Sequence, residues 1–319
     1  MSDKTRIAII GAGKMANKVH YPSLSSFEDV EIAAICELDE KRLAETADKY
    51  GIAGRYSDYR KMVEEVAPQA VWAIGQPQYM YDIWVWCLQQ GLNLYVEKPM
   101  GLTMHQSRML AALAEQKQVL TQVSFQRRNC PIAVMMRDKC LERGPIVHAV
   151  CTFYKYLIEP AWGAADHMHD DGVHALDTLR WMCGGEVTRI QSVTRAVQVP
   201  DLNFISALIE FDSGATGVMM NSWTSGRRTF RVEMHAPGIC AEVDLESKGH
   251  MYAEGDVVGE EFDTTQVAGS EEFHIHGGFQ AKNREFIDCL KTGQLPSSHF
   301  GDALKTMELA EKILAQGLG

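Results

Sequence analysis

No uninterrupted apolar run in this sequence approaches the roughly 20 residues that a membrane-spanning helix needs. The opening MSDKTRIAII enters a strand pattern within a few residues. It carries neither a long apolar core nor a small-residue cleavage site, so the expected location is cytoplasmic, with no membrane partner. Basic charge is also short: 31 Lys and Arg stand against 42 Asp and Glu, a formal net charge of −11. Nucleic acid is therefore not an expected partner, because phosphate-backbone binders present a cationic face that displaces counterions. The eight cysteines include no C-x-x-C pair, which excludes zinc-ribbon and thioredoxin-type spacings and points to free thiols in a reducing compartment. Internal repeats and low-complexity stretches are absent as well. What remains is 319 residues with 46% hydrophobic content, enough to bury two ordinary cores.

From residue 5 to about 124, short apolar or β-branched runs alternate with amphipathic stretches, the pattern of a parallel sheet covered by helices. Strands are predicted at 5–10, 31–36, 70–74, 93–96 and 119–124, with helices near 14–26, 40–50, 58–66, 79–90 and 103–117. After Pro131 the pattern changes to a helix and then longer strands at 146–158, 187–197, 204–211, 215–223, 229–235 and 238–244. Turns such as Asp212-Ser213-Gly214 make antiparallel neighbours the expectation. A helix at 171–183 interrupts that series, and two more, near 279–292 and 301–316, close the chain. The predicted fold is α/β: a doubly wound parallel sheet of Rossmann type over 1–124, then an α+β domain with an open, mainly antiparallel sheet over 125–319.

Residues 9–24, IIGAGKMANKVHYPSL, place Gly11, Gly13 and Ala16 in G-x-G-x-x-A spacing between a strand and a helix, with the acidic Glu37 at the end of the second strand. That conjunction is the signature of a dinucleotide site. Gly11 permits the tight turn, Gly13 lets the backbone approach a pyrophosphate, and Ala16 lets the helix pack close to the strand. The helix start supplies N–H donors and the positive end of its dipole. Glu37 suits the two ribose hydroxyls and repels a 2′-phosphate, so NAD is the expected cofactor, although Lys41 and Arg42 nearby could face a phosphate. Lys14 and Met15 in the turn, Gln76 and Pro77 after the fourth strand, and Glu97 and Lys98 after the fifth complete the expected cofactor contacts.

Lys98, in YVEKPMG, follows a parallel strand's carboxyl end, where ligands collect in such folds. In DHMHDDGVHALD, helical spacing puts Asp170 and His174 on one face, with Asp177 a turn further on. An imidazole beside a carboxylate can accept a hydroxyl proton while the carboxylate orients the ring. The alternative is structural, with Asp170 capping the helix and His174 packed beneath it. His167, His169, Asp170, Asp171 and His174 also form a possible metal-ligand set, but they lack a fixed motif such as H-E-x-x-H, and no metal is expected. HIH at 274–276 reads as a strand or loop with exposed imidazoles. Tyr154, Tyr156, Trp162 and Trp223 are sugar-stacking or core candidates. Arg227 and Arg228 suit either an anionic substrate group or solvent.

Together, GAGKMA, CELDE, EKP at 97–99, FQRRNCP at 125–131, DDGVHALD at 170–177, ALIEFDSGATGVMMNSW at 207–223 and DALKTMELAEKIL at 302–314 make the chain resemble the Gfo/Idh/MocA oxidoreductase family over nearly its whole length. The resemblance implies hydride transfer between NAD and a secondary hydroxyl or ketone of a sugar, cyclitol or derivative. It also implies a homodimer or homotetramer. The family's catalytic lysine falls on Lys98 and its D-x-x-x-H pair on Asp170 and His174. Two departures stand out: Tyr81 replaces the histidine common after the fourth strand, and ADHMH replaces the usual glycine-rich lead-in. Glycoside cleavage through transient oxidation by tightly bound NAD is the competing activity, and a non-catalytic dinucleotide sensor is a third reading.

Overall fold

The computed structural model describes residues 4–161, 164 and 166–317. Two compact units are present: Met1–Ser124 with Phe279–Leu304, and Phe125–Gly278 with Lys305–Gly319. The first is built on six parallel strands: β1 (Thr5–Ile10), β2 (Val30–Cys36), β3 (Gly54–Tyr56), β4 (Ala70–Ala73), β5 (Asn93–Val96) and β6 (Thr121–Val123). Their order is β3-β2-β1-β4-β5-β6, so the chain reverses direction across the sheet at β1 and β4. The first helical stretch is a π turn (Ala16–His20) followed by α1 (Tyr21–Ser25). Then come α2 (Glu40–Tyr50), α3 (Tyr59–Val66), α4 (Pro77–Gln89) and α5 (Met104–Lys117).

Local chemistry sets these boundaries. Asp39 caps α2 by accepting from the Arg42 N–H, Asp58 caps α3 and Thr103 caps α5, while Gly51 ends α2 in the left-handed region. The strands are buried on both faces: Ile7, Ala8, Ile9, Val71, Trp72, Ala73, Leu94, Tyr95 and Val96 have no exposed surface. A later helix, α10 (Phe279–Thr292), belongs to this unit. Its Phe286 ring meets Trp72 and Tyr95 edge-on, and its Arg284 and Lys291 pair with Asp29.

The second unit holds an eight-stranded sheet: β7 (His148–Tyr156), β8 (Val187–Arg195), β9 (Phe204–Phe211), β10 (Thr216–Ser222), β11 (Thr224–Ala236), β12 (Ile239–Asp244), β13 (Lys248–Ala253) and β14 (Glu260–Asp263). The order is β14-β13-β12-β11-β7-β10-β9-β8, antiparallel except for the β7–β10 pair. Helices α6 (Pro131–Leu141) and α7 (Val173–Cys183) pack on this sheet. A Cβ on Gly217 would lie 2.9 Å from Leu179 of α7, so glycine in β10 lets the helix approach closely.

Several expectations change here. α7 is preceded by a π turn (Met168–Gly172), so the helical stretch starts before 171. The long β11 begins at Thr224, and β13 and β14 form in polar sequence that carries no clear alternation. HIH lies in a short helix, α9 (Phe273–His276), which follows α8 (Thr264–Ala268), and His274 is buried rather than exposed. Burial also lowers the pKa of His274 and His276 from the usual imidazole value.

Candidate functional site

In the first unit, the carboxyl ends of β1, β2, β4 and β5 bring together Gly11, Glu37, Gln76 and Lys98 on one edge of the sheet. This is where the change in strand direction opens a crevice in doubly wound folds. Gly11 has φ +102, and a Cβ there would sit 2.0 Å from the Ile74 carbonyl oxygen. Its own N–H donates to the Cys36 carbonyl at 2.8 Å, and its carbonyl accepts from the Tyr21 hydroxyl at 3.1 Å. Burial, then the Glu37 charge, pushes the Tyr21 pKa far upward, so this phenol stays a donor. Around Gly13 there is open space: a Cβ would meet no heavy atom within 4 Å. Ala16 is fully buried, while Lys14 and Met15 are exposed.

The Glu37 carboxylate binds both loops. One oxygen accepts the Ala12 N–H at 2.9 Å, and the other accepts the N–H groups of Leu38 at 2.9 Å and Asp39 at 3.1 Å. Arg42 lies 3.9 Å from Glu37 and hydrogen-bonds Asp39 at 3.0 Å, and Lys41 lies 3.9 Å from Glu45. Both cations are thus set among carboxylates. A rigid turn, open space over its second glycine, orphan N–H groups at a helix start and an acidic strand end together fit a dinucleotide with a free ribose.

Gln76 precedes α4 and Pro77 occupies its first turn, where the missing N–H has no cost. The Gln76 carbonyl accepts from Tyr79 N–H at 2.9 Å and Met80 N–H at 3.2 Å. Tyr81 is partly buried. Lys98 is half-buried and precedes a cis bond to Pro99. The turn after it is fastened by Ser107, whose hydroxyl donates to the Met100 carbonyl at 2.5 Å, and by Gln106, which accepts from Leu102 N–H at 2.7 Å. Glu97 is buried against His20, with Oε1 2.8 Å from Nε2.

In the second unit, Asp170 lies in the π turn and His174 in the first turn of α7; both are partly exposed. Gly172 lets this turn sit on the sheet, since a Cβ there would be 2.9 Å from Met168 Sδ and 3.0 Å from Asn221 Nδ2. The Phe125 ring meets His174 edge-on at 6.4 Å. Asp177 is structural: Arg128 grips it with two hydrogen bonds of 2.5 and 2.7 Å, and Thr306 adds a third at 3.1 Å. His169 is held by Asp166 at 2.9 Å and lies 3.6 Å from Glu311. Burial pulls the His169 pKa down, but the Asp166 hydrogen bond and charge, aided by Glu311, leave it raised. His167 stacks on Trp223 at 4.9 Å, and both are buried.

Of the proposed stacking residues, Trp223 is therefore core, Tyr154 is half-buried, Tyr156 is exposed, and Trp162 lies outside the described residues. Arg228 is taken up by Glu246 at 2.8 Å. Among the described residues, no group of three or more His, Cys, Asp or Glu side chains could hold a metal ion. No helix of the described residues is long and apolar enough to cross a membrane. Sequence reasoning missed His20 and Asn283, whose roles depend on contacts distant along the chain. A histidine four places after Ala16, on the same buried helix face, was the available signal.

The family model described as "Oxidoreductase family, NAD-binding Rossmann fold" matches residues 5–125. A second, "GFO/IDH/MocA C-terminal domain", matches residues 142–237. The chain is similar to scyllo-inositol 2-dehydrogenase (NAD(+)) of Bacillus subtilis, 21% identical with 97% of this chain and 93% of the relative covered. It is also 26% identical to D-glucoside 3-dehydrogenase of Escherichia coli, but that match spans only 57% of this chain and 55% of the relative. Among solved structures, a dehydrogenase from Chromobacterium violaceum superposes with TM-score 0.87 at 19% identity, covering 99% of this chain and 97% of the other.

Proposed function

Because this chain belongs to the Gfo/Idh/MocA family of NAD-binding oxidoreductases, we propose that its substrate is a sugar, cyclitol or derivative and that Lys98, Asp170 and His174 act on it. The observation that carries this reading is the set of loops at the ends of β1, β2, β4 and β5, which puts Lys98 on the same sheet edge as the turn and carboxylate that fit NAD. When held by the Gly11–Gly13 turn and Glu37, NAD would supply the hydride acceptor or donor for this reaction. The His174 imidazole takes the proton of the substrate hydroxyl, and Asp170 orients the ring and offsets its charge. The Lys98 ammonium donates a hydrogen bond to a substrate oxygen as negative charge builds there. Preplaced donors of this kind are worth about 10²–10³ in rate.

Cyclitol and glucoside dehydrogenases among the relatives support the substrate class. The eight free cysteines support a cytoplasmic setting, and the proposed assembly is a homodimer or homotetramer, to be measured by sedimentation. The test is a panel of inositols, aldoses, sugar acids and glycosides with NAD and NADP, followed by absorbance at 340 nm. A net NADH signal with NAD is the expected result. Glycoside cleavage without net NADH would instead establish transient oxidation. Lys98→Ala and His174→Ala should each lower kcat by about 10²–10³ with NAD affinity within about threefold. Full activity in both variants would overturn the assigned roles.

A further inference from the structure

We propose that His20 is a positioning residue for Lys98, acting through a buried brace that ties the cofactor-binding helix to the Glu97-Lys98 turn. This inference rests on the reading of Lys98 given above. The brace starts at Asn283 on α10, whose Nδ2 donates to the Phe279 carbonyl at 2.8 Å. Trp72 Nε1, on β4, donates to Asn283 Oδ1 at 2.8 Å. These two contacts independently orient the amide, because an indole N–H can only donate and a carbonyl can only accept. Asn283 therefore presents an acceptor oxygen to His20 Nδ1, 3.3 Å away, and Nδ1 carries a proton.

The other ring nitrogen then has one partner to satisfy. His20 Nε2 and Glu97 Oε1 are 2.8 Å apart, and the bridge holds one proton in either of two forms, imidazolium with carboxylate or imidazole with carboxylic acid. Both forms are neutral overall, which is what lets the pair sit with His20 fully buried and Glu97 nearly so. The second carboxyl oxygen, Oε2, accepts the Lys98 backbone N–H at 3.3 Å. Tyr95 and Phe279 meet the His20 ring edge-on at 5.4 and 6.1 Å and hold its plane.

The line Trp72–Asn283–His20–Glu97–Lys98 thus joins β4, α10, the helix that opens at the glycine turn, and the turn after β5. Everything in it is buried up to the lysine backbone. Its effect is to hold the peptide from which the Lys98 ammonium extends, in register with the helix that fits the dinucleotide. A displacement of about 1 Å in such a group can cost about 10² in rate without weakening binding. Loss of His20 is therefore expected in kcat rather than in NAD affinity.

The first measurement needs no turnover: ¹⁵N-histidine NMR of the full-length protein. The His20 ring should show a protonated Nδ1 and a strongly downfield bridging proton that disappears in Glu97→Ala. The second is His20→Phe, which keeps a ring of similar volume but no nitrogen. With the best substrate of the panel, its kcat should fall about 10–100-fold while the NAD dissociation constant, from tryptophan fluorescence, stays within about threefold. An Nδ1 without a proton, or a folded His20→Phe with wild-type kcat, would overturn the brace. Lys98→Ala separates the two ideas. If it is inactive while His20→Phe is fully active, only the brace fails. If Lys98→Ala is fully active, the assigned role of Lys98 fails.

Discussion

At the scale of single residues, the two glycines of the first turn do different work, and substitution separates them. Gly11 has a positive φ and a backbone oxygen 2.0 Å from any Cβ, so Gly11→Ala strains the turn and pushes β1 from β4. A loss of about 2–5 kcal/mol is expected in urea unfolding. Gly13 has open space instead, so Gly13→Ala should leave stability within about 1 kcal/mol yet weaken NAD binding at least tenfold, read by fluorescence titration. Equal destabilisation by both would mean that the turn is a folding element only. The contrast was half legible in sequence. The spacing gave the tight turn to Gly11 and the close approach to Gly13, and the coordinates add the carbonyl packed against the first and the open space over the second.

At the scale of elements, the π turn before α7 is held by a half-buried pair, His169 and Asp166, whose strength depends on pH. Burial pulls the His169 pKa down, yet Asp166 and Glu311 leave it above the usual imidazole value. Burial pushes the Asp166 pKa up, yet His169 leaves it below the usual carboxylate value. A raised histidine contributes fully below its unfolded pKa of about 6.5 and loses that contribution as pH climbs through the raised value. A depressed aspartate contributes fully above its unfolded pKa of about 3.9 and loses that contribution as pH falls through its lowered value. The pair therefore stabilises most between those limits. Asp166→Asn should cost more unfolding free energy at pH 5.5 than at pH 9, and equal costs at the two pH values would remove the ion pair from the account. From sequence, His169 was one member of a possible metal-ligand set, because a run of histidines and aspartates does not reveal which imidazole turns toward its own carboxylate.

At the scale of the molecule, all eight cysteines are free; seven are buried, and Cys240 alone is partly exposed. Burial raises their thiol pKa values, that of Cys36 to about 12 and that of Cys240 in the same direction. A thiol reagent at neutral pH should thus titrate about one group, slowly, in the native protein and eight after denaturation. Fewer than eight would reveal a disulfide. Sequence spacing had already argued for free thiols, since no pair lies at C-x-x-C distance.

What the sequence by itself determined lies within short stretches. The helix caps, the glycine turn, the strand-end Glu37, the E-K-P turn and the alternation of strands with helices are local chemistry, dictated by residues a few positions apart. Only the tertiary structure decided the rest. It joined His20 to Asn283 across 263 residues, placed Phe279–Leu304 in the first unit, and put β7 parallel to β10 inside an otherwise antiparallel sheet. It also turned Asp177 from a neighbour of the catalytic candidates into the buried partner of Arg128. Such contacts are selected by which burial leaves every polar group paired. That condition is met by the folded chain as a whole and leaves little trace in any one stretch.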